Sequence, residues 1–149
     1  MNDIFLDKIP ENCKNTQENN FPLKDEATIL EIINNNKIYK IKIDDCYNEI
    51  KDNKCDFIIY KQNDKIAFIE LKSIANEEKY NHAIIQLKNT ESHFKEDISQ
   101  LDKKFIIAAK KFRKGKGFKY RKNKMGDIIE IKTKNEKFDF NNFTKISYR

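Results

Sequence analysis

Three charged residues stand at places where a strand pattern leaves little room for charge. Residues 55 to 73 form two apolar runs around a polar turn; Asp56 opens the first, and Glu70 and Lys72 close the second. A charge inside a buried strand is costly unless it is paired or bound to a metal. Side chains alternate faces along a strand, so Glu70 and Lys72 share one face. A three-residue loop of Gln62, Asn63 and Asp64 would pair Lys61 with Lys65, Tyr60 with Ile66 and Ile58 with Phe68. Asp56 then lands opposite Glu70, and a slip of one residue would send it to the other face. Opposed carboxylates repel. A hard divalent cation such as Mg²⁺ or Mn²⁺ removes that penalty, because it takes oxygen ligands. The chemistry this set could support is metal-assisted hydrolysis of a phosphodiester, with Lys72 placed to orient water and to offset charge on the pentavalent phosphate.

The Glu-x-Lys spacing alone does not make this argument. It occurs four times, starting at Glu49, Glu70, Glu77 and Glu130. Only at Glu70 does it end an apolar hairpin that carries an aspartate on the partner strand.

The elements that must hold these residues follow from the pattern around them. The polar first 24 residues, with an Asn-rich stretch from Asn15 to Asn20 and two prolines, read as an irregular arm; residues 25–149 read as a single domain. Between Ala27 and Ile43, Ile29, Ile32 and Ile33 fit a short helix. The Asn34-Asn35-Asn36 turn signal and the alternation from Lys37 to Ile43 favour a hairpin instead. Asn76 to about Gln100 carries a helical stripe of Tyr80, Ala83, Ile84, Leu87, Phe94 and Ile98, with His82, Gln86 and His93 beside it. Lys104 to Ala109 and Ile128 to Thr133 read as further strands. Antiparallel strands, a helix crossover and then more strand predict an α/β or α+β fold, with helices packed on a mixed sheet.

No apolar leader segment opens the sequence, no stretch reaches the length of a membrane span, and Cys13, Cys46 and Cys55 are odd in number with no C-x-x-C spacing. The expectation is a cytoplasmic chain with reduced thiols, Cys46 and Cys55 serving as small core residues.

Asp56, Glu70-Leu71-Lys72, a following amphipathic helix and a further strand together resemble the PD-(D/E)XK nuclease superfamily over about residues 54 to 110. The stretch also looks like small, poorly characterised bacterial members of that group. The resemblance implies a restriction-endonuclease-like fold and an Mg²⁺- or Mn²⁺-dependent nuclease. It implies Asp56 and Glu70 as metal ligands with the Leu71 carbonyl as a further one, Lys72 as the residue that orients or activates water, and Gln86 as a helix glutamine contacting water or phosphate. The chain departs from the pattern at Cys55, where a proline is usual, and it lacks a clear N-terminal helix glutamate. Glu26 and Glu31 could supply one if their segment were helical, and Asp44 and Asp45 are alternatives.

The segment from Ala108 to Gly126 holds nine Lys or Arg and no acid; the net charge is +6, so the rest of the chain carries −3. Lys110, Lys111, Arg113, Lys114, Lys116, Lys119, Arg121, Lys122 and Lys124, interleaved with Phe112, Phe118 and Tyr120, suit a grip on a phosphate backbone with stacking on unpaired bases. The expected partner is nucleic acid, DNA before RNA, and not a membrane. Two other readings stand beside the nuclease: a non-catalytic nucleic-acid-binding module, and a subunit of a larger nuclease or defence complex that docks through the C-terminal aromatics Phe138, Phe140 and Phe143. Cutting both strands of a duplex from one site per chain would call for a homodimer.

Overall fold

The apolar runs become the strands of two stacked sheets, seen in a computed structural model that describes residues 3–25, 28–112, 120–122 and 128–142. The elements in chain order are α1 (Ile4–Asp7), a 3₁₀ turn (Glu11–Cys13), β1 (Lys14–Gln17), β2 (Phe21–Lys24), β3 (Ile29–Ile33), β4 (Ile38–Lys42), β5 (Phe57–Lys61), β6 (Lys65–Ala75), α2 (Glu77–Phe94), β7 (Asp102–Phe112), β8 (Tyr120–Lys122), β9 (Ile128–Lys132) and β10 (Lys137–Asp139). Among the described residues the larger sheet runs β1-β4-β5-β6-β7-β9-β8, and the smaller runs β10-β3-β2. β4, β5 and β6 form an antiparallel meander; α2 then returns the chain so that β7 lies parallel to β6. The fold is therefore mixed α+β around a mixed sheet.

The period of two along β6 decides which face each residue serves. Ile66 and Phe68 join Ile58, Tyr60 and Phe105 beneath α1 and α2, packed on Phe5, Ala83, Leu87 and Phe94. Ala67, Ile69 and Leu71 point the other way, onto Leu23, Leu30, Ile32 and Phe138 of the small sheet. Burying one such side chain is worth about 1.5–3 kcal/mol, so the register of β6 is held by several of them at once. α2 starts at Asn76, whose side chain accepts the Lys79 N–H at 2.9 Å, and Glu77 and Glu78 sit in its positive first turn. All six stripe residues expected on it or just beyond it are buried, with Ile98 in the turns that follow Phe94.

Four expectations are corrected. Within the stretch expected to be an irregular arm, residues 3–24 are ordered: Phe5, Leu6, Ile9, Phe21 and Leu23 are core, β1 pairs with β4, and β2 pairs with β3. The polar composition misleads because β1 is an edge strand held through its backbone, with no buried side chain. Ile29–Ile33 and Ile38–Lys42 do not form a hairpin, since they belong to different sheets. Asn34 is buried and turns the chain between the layers; its backbone N–H donates to Asn20 Oδ1 at 2.8 Å, and its side-chain amide donates to the Asn36 carbonyl at 2.8 Å. Cys13 and Cys46 are joined in a disulfide, and only Cys55 is a free, buried thiol. Phe138 and Phe140 are core residues of the smaller sheet and cannot serve as a docking surface; Phe143 lies outside the described residues. No helix among the described residues is long and apolar enough to cross a membrane.

Candidate active site

The β5–β6 hairpin has the register that alternation requires. Lys61 pairs with Lys65, Tyr60 with Ile66, Ile58 with Phe68 and Phe57 with Ile69. Asn63 adopts the left-handed conformation (φ 60°) that a three-residue hairpin loop needs, a conformation asparagine tolerates. Asp56 sits in the bend just ahead of β5 and meets Glu70: its backbone N–H donates to Glu70 Oε1 at 3.0 Å. The Leu71 N–H donates to Asp56 Oδ2 at 2.7 Å, which ties the two strands together from the opposite direction. Lys72 Nζ lies 3.0 Å from Glu70 Oε2 and donates to Gln86 Oε1, also at 3.0 Å.

Glu70 is buried, with a side chain only 3% exposed. Burial pushes its carboxyl up to about 8, the negative charge of Asp56 adds to this, and the Lys72 ammonium opposes it. Burial also raises Asp56, eased by the Leu71 N–H, while Asp25 and Asp44 add negative charge nearby. Two carboxylates held this close repel when both are ionised, and a proton on one of them relieves that repulsion. Among the described residues, Lys72 is the one cation in contact with the pair.

The helix α2 fixes the segment that delivers Asp56. Asn89 Nδ2 donates to the Asp52 and Asn53 carbonyls at 3.0 Å, and Gln86 Nε2 donates to the Lys54 carbonyl at 3.3 Å. The Thr90 hydroxyl accepts the Cys55 N–H at 2.9 Å and donates to the Gln86 carbonyl at 2.8 Å. Three helix positions with i, i+3, i+4 spacing thus read the backbone of residues 52–55. Both polar ends of Gln86 are engaged, so this glutamine bridges Lys72 to the backbone. On the other side, the Asp56 carbonyl accepts the N–H groups of Ile43 (3.0 Å) and Asp44 (3.4 Å), and the Thr28 hydroxyl donates to the Lys72 carbonyl.

Of the sequence-predicted residues, Asp56, Glu70, Leu71, Lys72 and Gln86 come together. Glu31 lies in β3 and not in a helix, and Glu26 is outside the described residues. Among the described residues no set of three or more His, Cys, Asp or Glu side chains is placed to hold a metal ion, so the acidic ligands available are the two carboxylates. Lys72 pairs with Ala109 across β6 and β7, which brings the exposed Lys110 and Lys111 to the same end of the sheet. Tyr120, Arg121 and Lys122 form β8 on its far edge; Arg113, Lys114, Lys116, Lys119 and Lys124 lie outside the described residues. Thr28, Asp25, Asn89 and Thr90 were missed. For Thr90 a signal existed, since it is a hydroxyl three residues beyond Leu87 on the apolar stripe.

No family model, curated protein or solved structure matches this chain.

Proposed function

We propose that the chain is a metal-dependent nuclease that hydrolyses phosphodiester bonds, in DNA before RNA, at Asp56, Glu70 and Lys72. The observation that carries the reading is the meeting of Asp56 with Glu70 across the hairpin, with Lys72 on Glu70 at 3.0 Å. A second buried Glu-x-Lys in the same sheet sharpens the point. Glu130 on β9 faces Lys104 at 3.6 Å and Lys132 at 3.7 Å, so two cations answer one carboxylate. At Glu70 the ratio is reversed: two carboxylates face one cation. A surplus of cations leaves a buried carboxylate satisfied, whereas a surplus of carboxylates is what a divalent cation neutralises. The donor set fits Mg²⁺ or Mn²⁺, because two carboxylates meet beside a single lysine and a hard cation there would offset their mutual repulsion. Asp56 and Glu70 would hold the ion, with the Leu71 carbonyl as a further oxygen. When bound, such an ion polarises a phosphate and lowers the pKa of water.

The residues of the chain do the rest. Asp56 and Glu70 would hold the ion that neutralises the phosphate. Lys72, held by Glu70 and Gln86, positions the attacking water and offsets charge on the phosphate. Gln86 keeps Lys72 in that orientation. Lys110 and Lys111, next to Ala109, begin the basic stretch and take neighbouring phosphates of the strand. The same order of meander, helix and parallel strand supports the restriction-endonuclease-like fold that the PD-(D/E)XK resemblance implies.

The test is cleavage of single-stranded, duplex and branched DNA by purified protein in Mg²⁺, Mn²⁺ or EDTA. Wild type is expected to cut only with metal, and Glu70→Ala and Lys72→Ala are each expected to lose cleavage by about 10²-fold or more while binding persists. Cleavage retained in both variants would sink the assignment. Binding without cleavage under every condition would instead favour a non-catalytic module or a subunit awaiting its partner.

A further inference from the structure

A second cationic feature lies at the same end of the molecule on the opposite face of the sheet. Among the described residues, partly buried lysines find an oxygen. Lys14, Lys61, Lys72, Lys88, Lys103, Lys104 and Lys132 each face a carboxylate, and Lys54 and Lys65 donate to backbone carbonyls. Lys40 is the exception. Its Nζ lies over the Phe57 ring, 5.7 Å from the centroid, and its charged neighbours are Lys42 and Lys24. Lys42 Nζ lies over the same ring at 5.6 Å. Burial and the two neighbouring ammonium groups all push the Lys40 ammonium down, and no carboxylate counters them. The Phe57 ring offsets part of the cost of holding two ammonium groups side by side, but no acid faces them.

The position of this cluster ties it to the carboxylate pair. Lys42 pairs with Phe57, the residue after Asp56, and the next N–H along β4, that of Ile43, is bound to the Asp56 carbonyl. Lys24 ends β2, and the following Asp25 contributes charge at Asp56. The cluster is thus separated from the proposed cleavage site by the end of one hairpin. It is also distinct from the basic stretch beyond Ala109, which begins on β7, three strands away from β4 in the sheet. Phe57 is only 4% exposed and its ring lies under the ammonium groups, so it cannot stack with a base. What remains is recognition of an anion without base readout.

We propose that Lys40 and Lys42 form a binding site for a backbone phosphate of nucleic acid, flanking the phosphate held at Asp56 and Glu70. The inference rests on the nucleic-acid reading above, and extends it to a second contact on the opposite side of the scissile bond from Lys110. The strand would pass around the end of the β4–β5 pair, gripped on one side by these lysines and on the other by the basic stretch.

The experiment measures binding of a fluorescein-labelled oligothymidylate in EDTA, across about 50 to 200 mM salt. Wild type is compared with Lys40→Gln/Lys42→Gln and with Lys8→Gln/Lys61→Gln. The last pair removes the same charge from lysines that already face Asp97 and Asp64, away from this cluster. A lost phosphate contact should reduce the slope of log K against log salt by about 0.7, so the first variant, which loses the one phosphate held here, should fall by about that much and the second by close to none. Melting should be unchanged or raised in the first variant, because repulsion is relieved; Lys42→Gln alone serves if it is not. Equal slopes for wild type and the first variant, or equal losses in the two variants, would overturn the site while leaving the nuclease intact. A selective loss of slope in a protein that never cuts would uphold the site and remove the nuclease. No binding by wild type would remove both.

Discussion

Glu70 is the residue at which folding and the proposed chemistry pull in opposite directions. A solvated glutamate ionises near 4.5, whereas burial and Asp56 hold Glu70 up to about 8 in the fold. Between those values the folded, metal-free chain keeps a proton that the unfolded chain has lost. The unfolded state then binds fewer protons, so stability falls as pH rises from about 4.5 to 8. Denaturant unfolding in EDTA at several pH values should reveal this as a difference between wild type and Glu70→Gln. The amide keeps an acceptor for the Asp56 N–H without the titration, so its advantage should grow through that window to the order of a few kcal/mol. Parallel curves would mean that Glu70 is not held protonated by its surroundings. The carboxylates themselves were legible in the sequence, because a strand's period of two and a three-residue loop leave Asp56 one place to go. The role of Gln86 was not. Its place beside the stripe follows from helical spacing, but its two partners, Lys72 and the Lys54 carbonyl, are brought to it by tertiary packing.

At the scale of elements, the site is a hairpin end held against a helix. Residues 52–55 have no strand partner, and α2 supplies their hydrogen bonds through Gln86, Asn89 and Thr90. Thr90 is fully buried, and Cys55, whose N–H it accepts, is also at 0% exposure. In Thr90→Val that N–H loses its acceptor in a place water does not reach, at about 1–3 kcal/mol. Because Cys55 precedes Asp56, the loss should loosen the aspartate too. The expected signature is weaker apparent Mg²⁺ affinity, read as a higher metal concentration for half-maximal cleavage, with Thr90→Ser restoring it. A variant that loses stability but keeps the wild-type metal requirement would make Thr90 purely structural. The helix, its stripe and the strands β5, β6, β7 and β9 were readable from periodicity alone. The partition of β3 and β4 into separate sheets was not, since an Asn-rich turn looks the same whether it reverses one sheet or crosses between two.

At the scale of the whole molecule, residues 3–24 are structure and not an appendage. Phe5 packs edge-on to Tyr60 and Phe94, the Tyr60 hydroxyl donates to Asp3 Oδ2 at 2.6 Å, and Lys8 meets Asp97 at 2.7 Å. The Cys13–Cys46 disulfide adds a covalent tie between the turn before β1 and the segment after β4, across a sequence separation of 33. Neither feature shows in composition, because an odd cysteine count hides a pair and an edge strand needs no apolar side chains. A cross-link of this span is worth about 2–4 kcal/mol, chiefly by restricting the unfolded chain. Cys13→Ser should therefore unfold at lower denaturant in one transition, since the packing of Phe5 and the β1–β4 ladder remain. Reductant should produce the same loss in wild type and none in the variant. Cleavage per folded molecule should not change, because neither cysteine side chain bonds Asp56, Glu70 or Lys72 and the backbone turn at Ile43 that holds Asp56 does not depend on the cross-link. Wild type that melts identically with and without reductant would mean that the thiols are not joined in solution. That outcome is also the one a reducing cytoplasm imposes, so the comparison measures how much of the fold's stability such a compartment leaves in place.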